Sequence, residues 1–316
     1  MQWQLDQQWR KARREVSAAG VDLMGDLPFT VAIDSADVWA NRPIFRTDLR
    51  VGAPPIGPGG EVQDWGLPAY DWDALRSSDF RWLRARAERA GQMFSLLRID
   101  HVAGYYRTFV RSIGSKEGGF LPADENTQQR LGEAIMRLYR HFGELVAEDL
   151  GSLPEFLRPS LARLGIPGYR VLRWEKKNGH FRDPAAWPAL SLATNSTHDT
   201  DNNADWYDHL SPEERATLIA DVPALAGLDP QKPFDDHVRD RLLIAVLAAG
   251  SALSLVSFQD ALGSRERINV PGKVDDGNWC YRMPMDIEAL RAEGATAERL
   301  ARIAVETKRA ASNSDD

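Results

Sequence analysis

One cysteine, Cys280, is present in 316 residues. A lone thiol forms no internal disulfide and no multi-cysteine metal site, and it fits a reducing compartment. No run approaches the roughly 18 consecutive apolar residues of a membrane span. The stretch "QWQLDQQWRKARRE" after Met1 lacks an apolar signal core. The chain is therefore expected to be soluble, unexported and cytoplasmic. Positive charge is in the minority, with 39 Lys and Arg against 46 Asp and Glu and a net charge of −7. The basic residues are scattered along helix-like segments, so neither nucleic acid nor a membrane is an expected partner. The phosphate-cradling glycine motifs are missing too, because "GPGG" at 57–60 has no following Lys-Ser/Thr and no preceding strand. Six histidines are present and none stands in an H-E-x-x-H arrangement. "DTDNNAD" (199–205) begins like a calcium loop, but Ala204 stands where glycine is needed and Leu210 where the bidentate glutamate belongs. No metal and no organic cofactor are expected.

What is present is a strand-and-helix rhythm. Short apolar runs ending in polar punctuation, at 21–28, 94–100, 145–151, 168–174, 190–199 and 253–260, alternate with stretches of helical periodicity. The helical stretches are 2–19, 73–91, 126–143, 153–164, 212–220, 234–250 and 286–308. This is the pattern of a parallel sheet covered by helices, in one domain over 1–316. Ser152 is the expected cap of the helix after it, and Pro159 is expected to interrupt that helix. Region 41–72 is dense in Gly and Pro and too long for an ordinary strand-to-helix connection, so it reads as a functional loop excursion. The tail at 309–316 is expected to fray.

The chemistry gathers where the strands end. Asp26, Asp100, Glu148 with Asp149, and Asp199 close four of the six runs, and Gln259 with Asp260 closes the last. Parallel strands share one carboxyl-end face, so these acids converge there. Any one of them alone is better explained by a solvated loop or a helix cap; several together need pairing or a task. Arg98 lies two residues before Asp100, and strand alternation points both to one face, where the cation favours the ionised carboxylate. His101 and His198 each adjoin an aspartate, and the sequence leaves open whether they bind ligand hydroxyls or serve the structure. An ionised carboxylate, a second carboxyl able to act as acid and then base, and a third acid nearby are what retaining cleavage of a glycosidic bond requires.

The stretches "LMGDLPFTVAIDSADVWANRPIF", "VGAPP", "QDWGLPAYDW", "RIDHVAGYYRTF", "AEDLG", "GIPGYRVLRW", "THDTD", "FQDALG", "RINVPG" and "GNWCYR" stand in this order along nearly the whole chain. In them the sequence resembles the 4-α-glucanotransferases, or amylomaltases, of glycoside hydrolase family 77. The resemblance implies a (β/α)8 TIM-barrel fold acting on α-1,4-glucans, with maltodextrins as substrates and glucose as an acceptor. It begins at the family's third barrel strand, so an incomplete barrel of about six strands is expected, with self-association as one means of closing it. It further implies that Asp100 is the nucleophile, Glu148 the general acid and base, and Asp199 the third acid. Arg98, His198 and Asp26 match supporting positions around the donor sugar. Gln63, Trp65 and His101 match substrate-binding positions, with Trp65 on the long loop over the acceptor side. An α-glucan hydrolase and a non-catalytic glucan-binding fragment are the alternatives.

Overall fold

The computed structural model describes residues 1–55, 62–115, 117–271, 273 and 275–309. The "GPGG" run and residues 310–316 of the tail lie outside them. The chain divides into two compact units, Met1–Gly168 and Tyr169–Asp316, where the sequence suggests one domain.

In chain order the first unit contains strands β1 (Met24–Leu27), β2 (Phe45–Ala53), β3 (Gln63–Tyr70), β4 (Leu96–Ile99), β5 (Thr108–Ser112), β6 (Gly118–Leu121) and β7 (Glu144–Ala147). Strands β1, β4 and β7 run parallel in that order, with Asp26 opposite Arg98 and Arg98 opposite Val146. Ala147 is in turn opposite Gly168, the first residue of β8 (Gly168–Val171). These strands are short and apolar because helices cover them. Leu97 and Ile99 of β4 are fully buried beside Leu83, Ile135, Met136 and Tyr139 from helices Arg81–Met93 and Glu125–Arg140. The second sheet of this unit is antiparallel, in the order β3-β2-β5-β6.

That second sheet is where the sequence is misleading. Region 41–72, expected as a loop excursion, contains two paired strands, with β2 and β3 pairing from Phe45 opposite Tyr70 to Ala53 opposite Gln63. Two of its breakers, Gly52 and Pro68, are sheet devices. Gly52 lies so close to β3 that a Cβ there would sit 1.8 Å from the Gln63 carbonyl oxygen. Pro68 sits on the edge strand next to a register shift, where its missing N–H costs no interior ladder bond.

Two helix expectations change in the first unit. The 73–91 stretch forms Trp72–Ser77 and Arg81–Met93, with Asp79 and Phe80 in the left-handed region between them. The helix expected from 153 begins at Leu157, and Phe156 rather than Ser152 precedes it. Pro159 falls within its first turn, where backbone N–H groups have no intrahelical partner, so the proline is accommodated.

The second unit continues β8 and adds a small hairpin of β9 (Lys176–Lys177) and β10 (His180–Phe181), then the parallel pair β11 (Ser191–Thr194) and β12 (Leu253–Leu255). Leu172 donates its backbone N–H to the Thr194 carbonyl beside β11. Leu172, Trp187, Ala193, Tyr207, Leu218, Leu242 and Val246 form its core. The last helical stretch is broken at Gly294, whose φ of 66° stops Ile287–Glu293 before Ala295–Glu306 begins. All six expected strands are present, each shorter than its apolar run. Among the described residues no helix is long and apolar enough to cross a membrane.

Candidate active site

The first unit assembles its charged residues around one guanidinium. Arg98 is only 6% exposed. Its Nη1 donates to both Asp26 oxygens at 2.7 and 2.8 Å and to Asp100 Oδ1 at 3.1 Å, and its Nη2 lies 3.0 Å from Glu148 Oε1. Three strand ends, β1, β4 and β7, thus deliver three carboxylates to one cation. The parallel register that sets Asp26 opposite Arg98 makes this possible, and the strand alternation that puts Arg98 and Asp100 on one face completes it. A buried arginine is stable here because charge-assisted bonds replace its water.

The backbone holds the two central carboxylates as well. Asp100 Oδ2 accepts the Phe29 N–H at 3.1 Å, and Glu148 Oε2 accepts the His101 N–H at 2.7 Å. His101 has φ of 43°, an uncommon conformation for a residue with a side chain. That turn aims its N–H at Glu148. Its imidazole meets the rings of Phe29 and Trp65 edge-on, with centroids 5.7 and 4.9 Å away. Burial pushes its pKa down to about 4 against the opposing pull of Asp100, so the ring is neutral near pH 7.

Beside this cluster lies a cleft of about 220 Å³, lined by Gln63, Trp65, His101, Phe109, Phe120 and Glu148 among others. The Trp65 indole N–H donates to Gln63 Oε1 at 3.1 Å, which fixes both side chains at the mouth of the antiparallel sheet. The first unit therefore brings together Asp26, Arg98, Asp100, His101 and Glu148, with Trp65 and Gln63 on the adjoining wall.

Asp149, the acid next to Glu148, is a structural residue. It is 1% exposed, accepts from Arg158 Nε at 2.8 Å, and lies where a side chain at Gly168 would strike it. Asp260 is likewise buried and accepts bonds from Ser196 Oγ and the Asn203 N–H.

In the second unit, Asp199 and His198 sit on the turn after β11. Asp199 Oδ1 accepts from Asn269 Nδ2 at 2.6 Å, and its Oδ2 lies 3.4 Å from His198 Nε2. Arg267 Nη2 donates to the Asp199 carbonyl at 2.7 Å, and Asn269 donates its backbone N–H to the His198 carbonyl. Asn269 and Arg267 are side chains that the sequence leaves unassigned within "RINVPG". No periodicity points to them, and only the return of a distant loop to Asp199 shows what they hold.

A family model described as 4-alpha-glucanotransferase matches residues 1–287. The 4-alpha-glucanotransferase of Chlamydia pneumoniae is 31% identical over 283 residues, 85% of this chain and 53% of the relative. That of Thermus thermophilus is 32% identical over 323 residues, 95% of this chain and 62% of the relative. The chain thus spans a little over half the length of these relatives. An amylomaltase from Streptococcus agalactiae, solved in complex with acarbose, superimposes with a TM-score of 0.80 at 24% identity, covering 96% of this chain and 60% of its own. One from Corynebacterium glutamicum gives the same score and identity over 96% of this chain and 49% of its own. At that identity the likeness concerns the fold, and it is the incomplete α/β barrel of (β/α)8 type that the sequence implies.

Proposed function

Since this chain belongs to the 4-alpha-glucanotransferase family, we propose that it transfers α-1,4-glucan segments to the 4-hydroxyl of an acceptor glucan or glucose by a retaining double displacement. The observation that carries this is the Arg98 fork, which holds Asp100 and Glu148 on opposite nitrogens of one guanidinium. Asp100, pinned by Arg98 and the Phe29 N–H, attacks the anomeric carbon while Glu148 protonates the departing glycosidic oxygen. Glu148 gives up its proton in that step and is then a carboxylate beside Arg98, together with Asp26, while Asp100 is held in the glucosyl ester. Glu148 is then the base that takes the proton of the incoming 4-hydroxyl.

Asp199, held by Asn269, grips sugar hydroxyls as positive charge develops at the anomeric carbon, with His198 beside it. Asp26 completes the donor side, and neutral His101 offers a hydrogen bond without adding a charge. Trp65 and Gln63 form the acceptor wall, where a bound sugar displaces water and transfer outruns hydrolysis. The same reading treats 1–316 as part of one barrel domain, places the protein in the cytoplasm, and makes maltodextrins its substrates. Among the described residues β1 pairs with β4 alone, so the proposal includes self-association.

The test is incubation with maltotriose beside Asp100→Asn and Glu148→Gln. Glucose with lengthened maltodextrins, absent in both variants, is the expected result. Shortened products alone would mean a hydrolase, and full transfer by either variant would overturn the assignment.

A further inference from the structure

The second unit presents a tryptophan that the reading above does not use. Trp279 is 64% exposed, although its indole is the largest apolar surface a side chain offers. Its φ is 60°, the left-handed region that bulky side chains avoid, and such strain persists where the surroundings enforce it.

The enforcing contacts are specific. The Trp279 N–H donates to the Ile268 carbonyl at 2.8 Å. Neighbouring Asn278 accepts the Val270 N–H at 3.0 Å and donates to the Lys273 carbonyl at 2.9 Å. Ile268 precedes Asn269, the residue that bonds Asp199, so the loop that anchors Asp199 also holds the Trp279 backbone. The indole centroid lies 5.4 Å from the His198 ring at 41°, which leaves much of the indole surface open to solvent. Trp3, Trp39 and Trp174 are also exposed, the first two within helices Gln2–Ala18 and Ala36–Ala40 and the third just after β8, and among the described residues none of the three makes such a ring contact.

From this geometry we infer that Trp279 is a sugar-stacking residue, receiving the apolar C–H face of a glucosyl ring whose hydroxyls are held by Asp199 and His198. A pyranose has just this division, with axial C–H groups on its faces and hydroxyls at its rim. An indole against the His198 imidazole, which itself lies 3.4 Å from the Asp199 carboxylate, matches both parts. The inference rests on the glucan-transfer reading and adds to it a residue outside the acids.

The test is calorimetric titration of the full chain with maltoheptaose, for the unaltered protein, Trp279→Ala and Trp279→Phe, with oxidative footprinting of the tryptophans in parallel. Loss of the open face weakens binding by roughly tenfold in Trp279→Ala, while Trp279→Phe keeps most of it. Maltoheptaose protects Trp279 from oxidation and leaves Trp3 and Trp39 unprotected. Equal affinity in all three proteins, with Trp279 as reactive as before, would overturn the stacking role and leave the transfer reading intact. Absence of maltoheptaose binding to the unaltered protein would overturn both.

Discussion

Replacing Arg98 by methionine removes one cation from among three carboxylates while keeping most of the side-chain volume. Asp26 and Asp100 have side chains 45% and 35% exposed, so water screens their share of the loss, and each bond is worth about 0–1 kcal/mol. Glu148 is 17% exposed, and its charge-assisted bond is worth about 1.5–3 kcal/mol. The expected destabilisation at pH 7 is on the order of 3–5 kcal/mol, the range for a buried ion pair broken from one side. Much of it comes from carboxylates left without their cation. Urea denaturation followed by circular dichroism at pH 7 measures this. Arg98→Lys recovers part of the loss, because an ammonium restores the charge but not a fork reaching three acids. A destabilisation below about 1 kcal/mol would refute the picture of a guanidinium holding mutually repelling acids.

Other perturbations probe separate parts of the first unit. Burial pushes the Glu133 carboxyl up, but bonds from Arg163, Gln129, Ser160 and Arg137 outweigh it and hold the pKa at about 2. Its folded pKa lies below the unfolded one, so this stability is present above about pH 4.5 and is lost as pH falls toward 2. Glu133→Gln is expected to cost about 3 kcal/mol at pH 7 and much less at pH 3, by denaturant titration. The His101 ring should titrate near pH 4 by nuclear magnetic resonance; a midpoint near 6.5 would mean that it is not buried. Because its folded pKa is lowered, the unfolded chain binds more protons below about pH 6.5, and His101 destabilises the fold progressively from there down to pH 4. Gly132→Ala lies in helix Glu125–Arg140, where alanine normally adds about 1 kcal/mol, but its Cβ would come 2.1 Å from the Tyr106 ring. A lowered melting temperature, corresponding to about 1–3 kcal/mol, is expected, and a raised one would show that Tyr106 yields freely.

Much of this was open to sequence reasoning because the parallel strands announce themselves through local pattern. "LLRI" and "ELVA" are apolar runs that end on charge, and no other packing explains an arginine two residues before an aspartate so well. The antiparallel sheet was hidden for the opposite reason. Its strands β2 and β3 contain Gly52 and Pro68, which signal a loop locally and make sense only beside a close partner strand and a free edge. Helix breaks at Phe80 and Gly294 were missed because amphipathic spacing continues through them.

By itself, then, the sequence determined the strand-and-helix order, the acids at the strand ends and the family, since these depend on residue type and spacing along the chain. The tertiary structure alone decided which acids are structural and which share a cation. Asp149 and Glu148 are adjacent in sequence, yet one is sealed against Arg158 and Gly168 and the other faces a cleft. That outcome depends on which way each side chain leaves the end of β7. Likewise Asn269 and Trp279 acquire meaning only when a loop some 70 residues onward returns to Asp199 and His198. Such long-range closure is fixed by packing and hydrogen bonds between distant segments, and no local pattern encodes it.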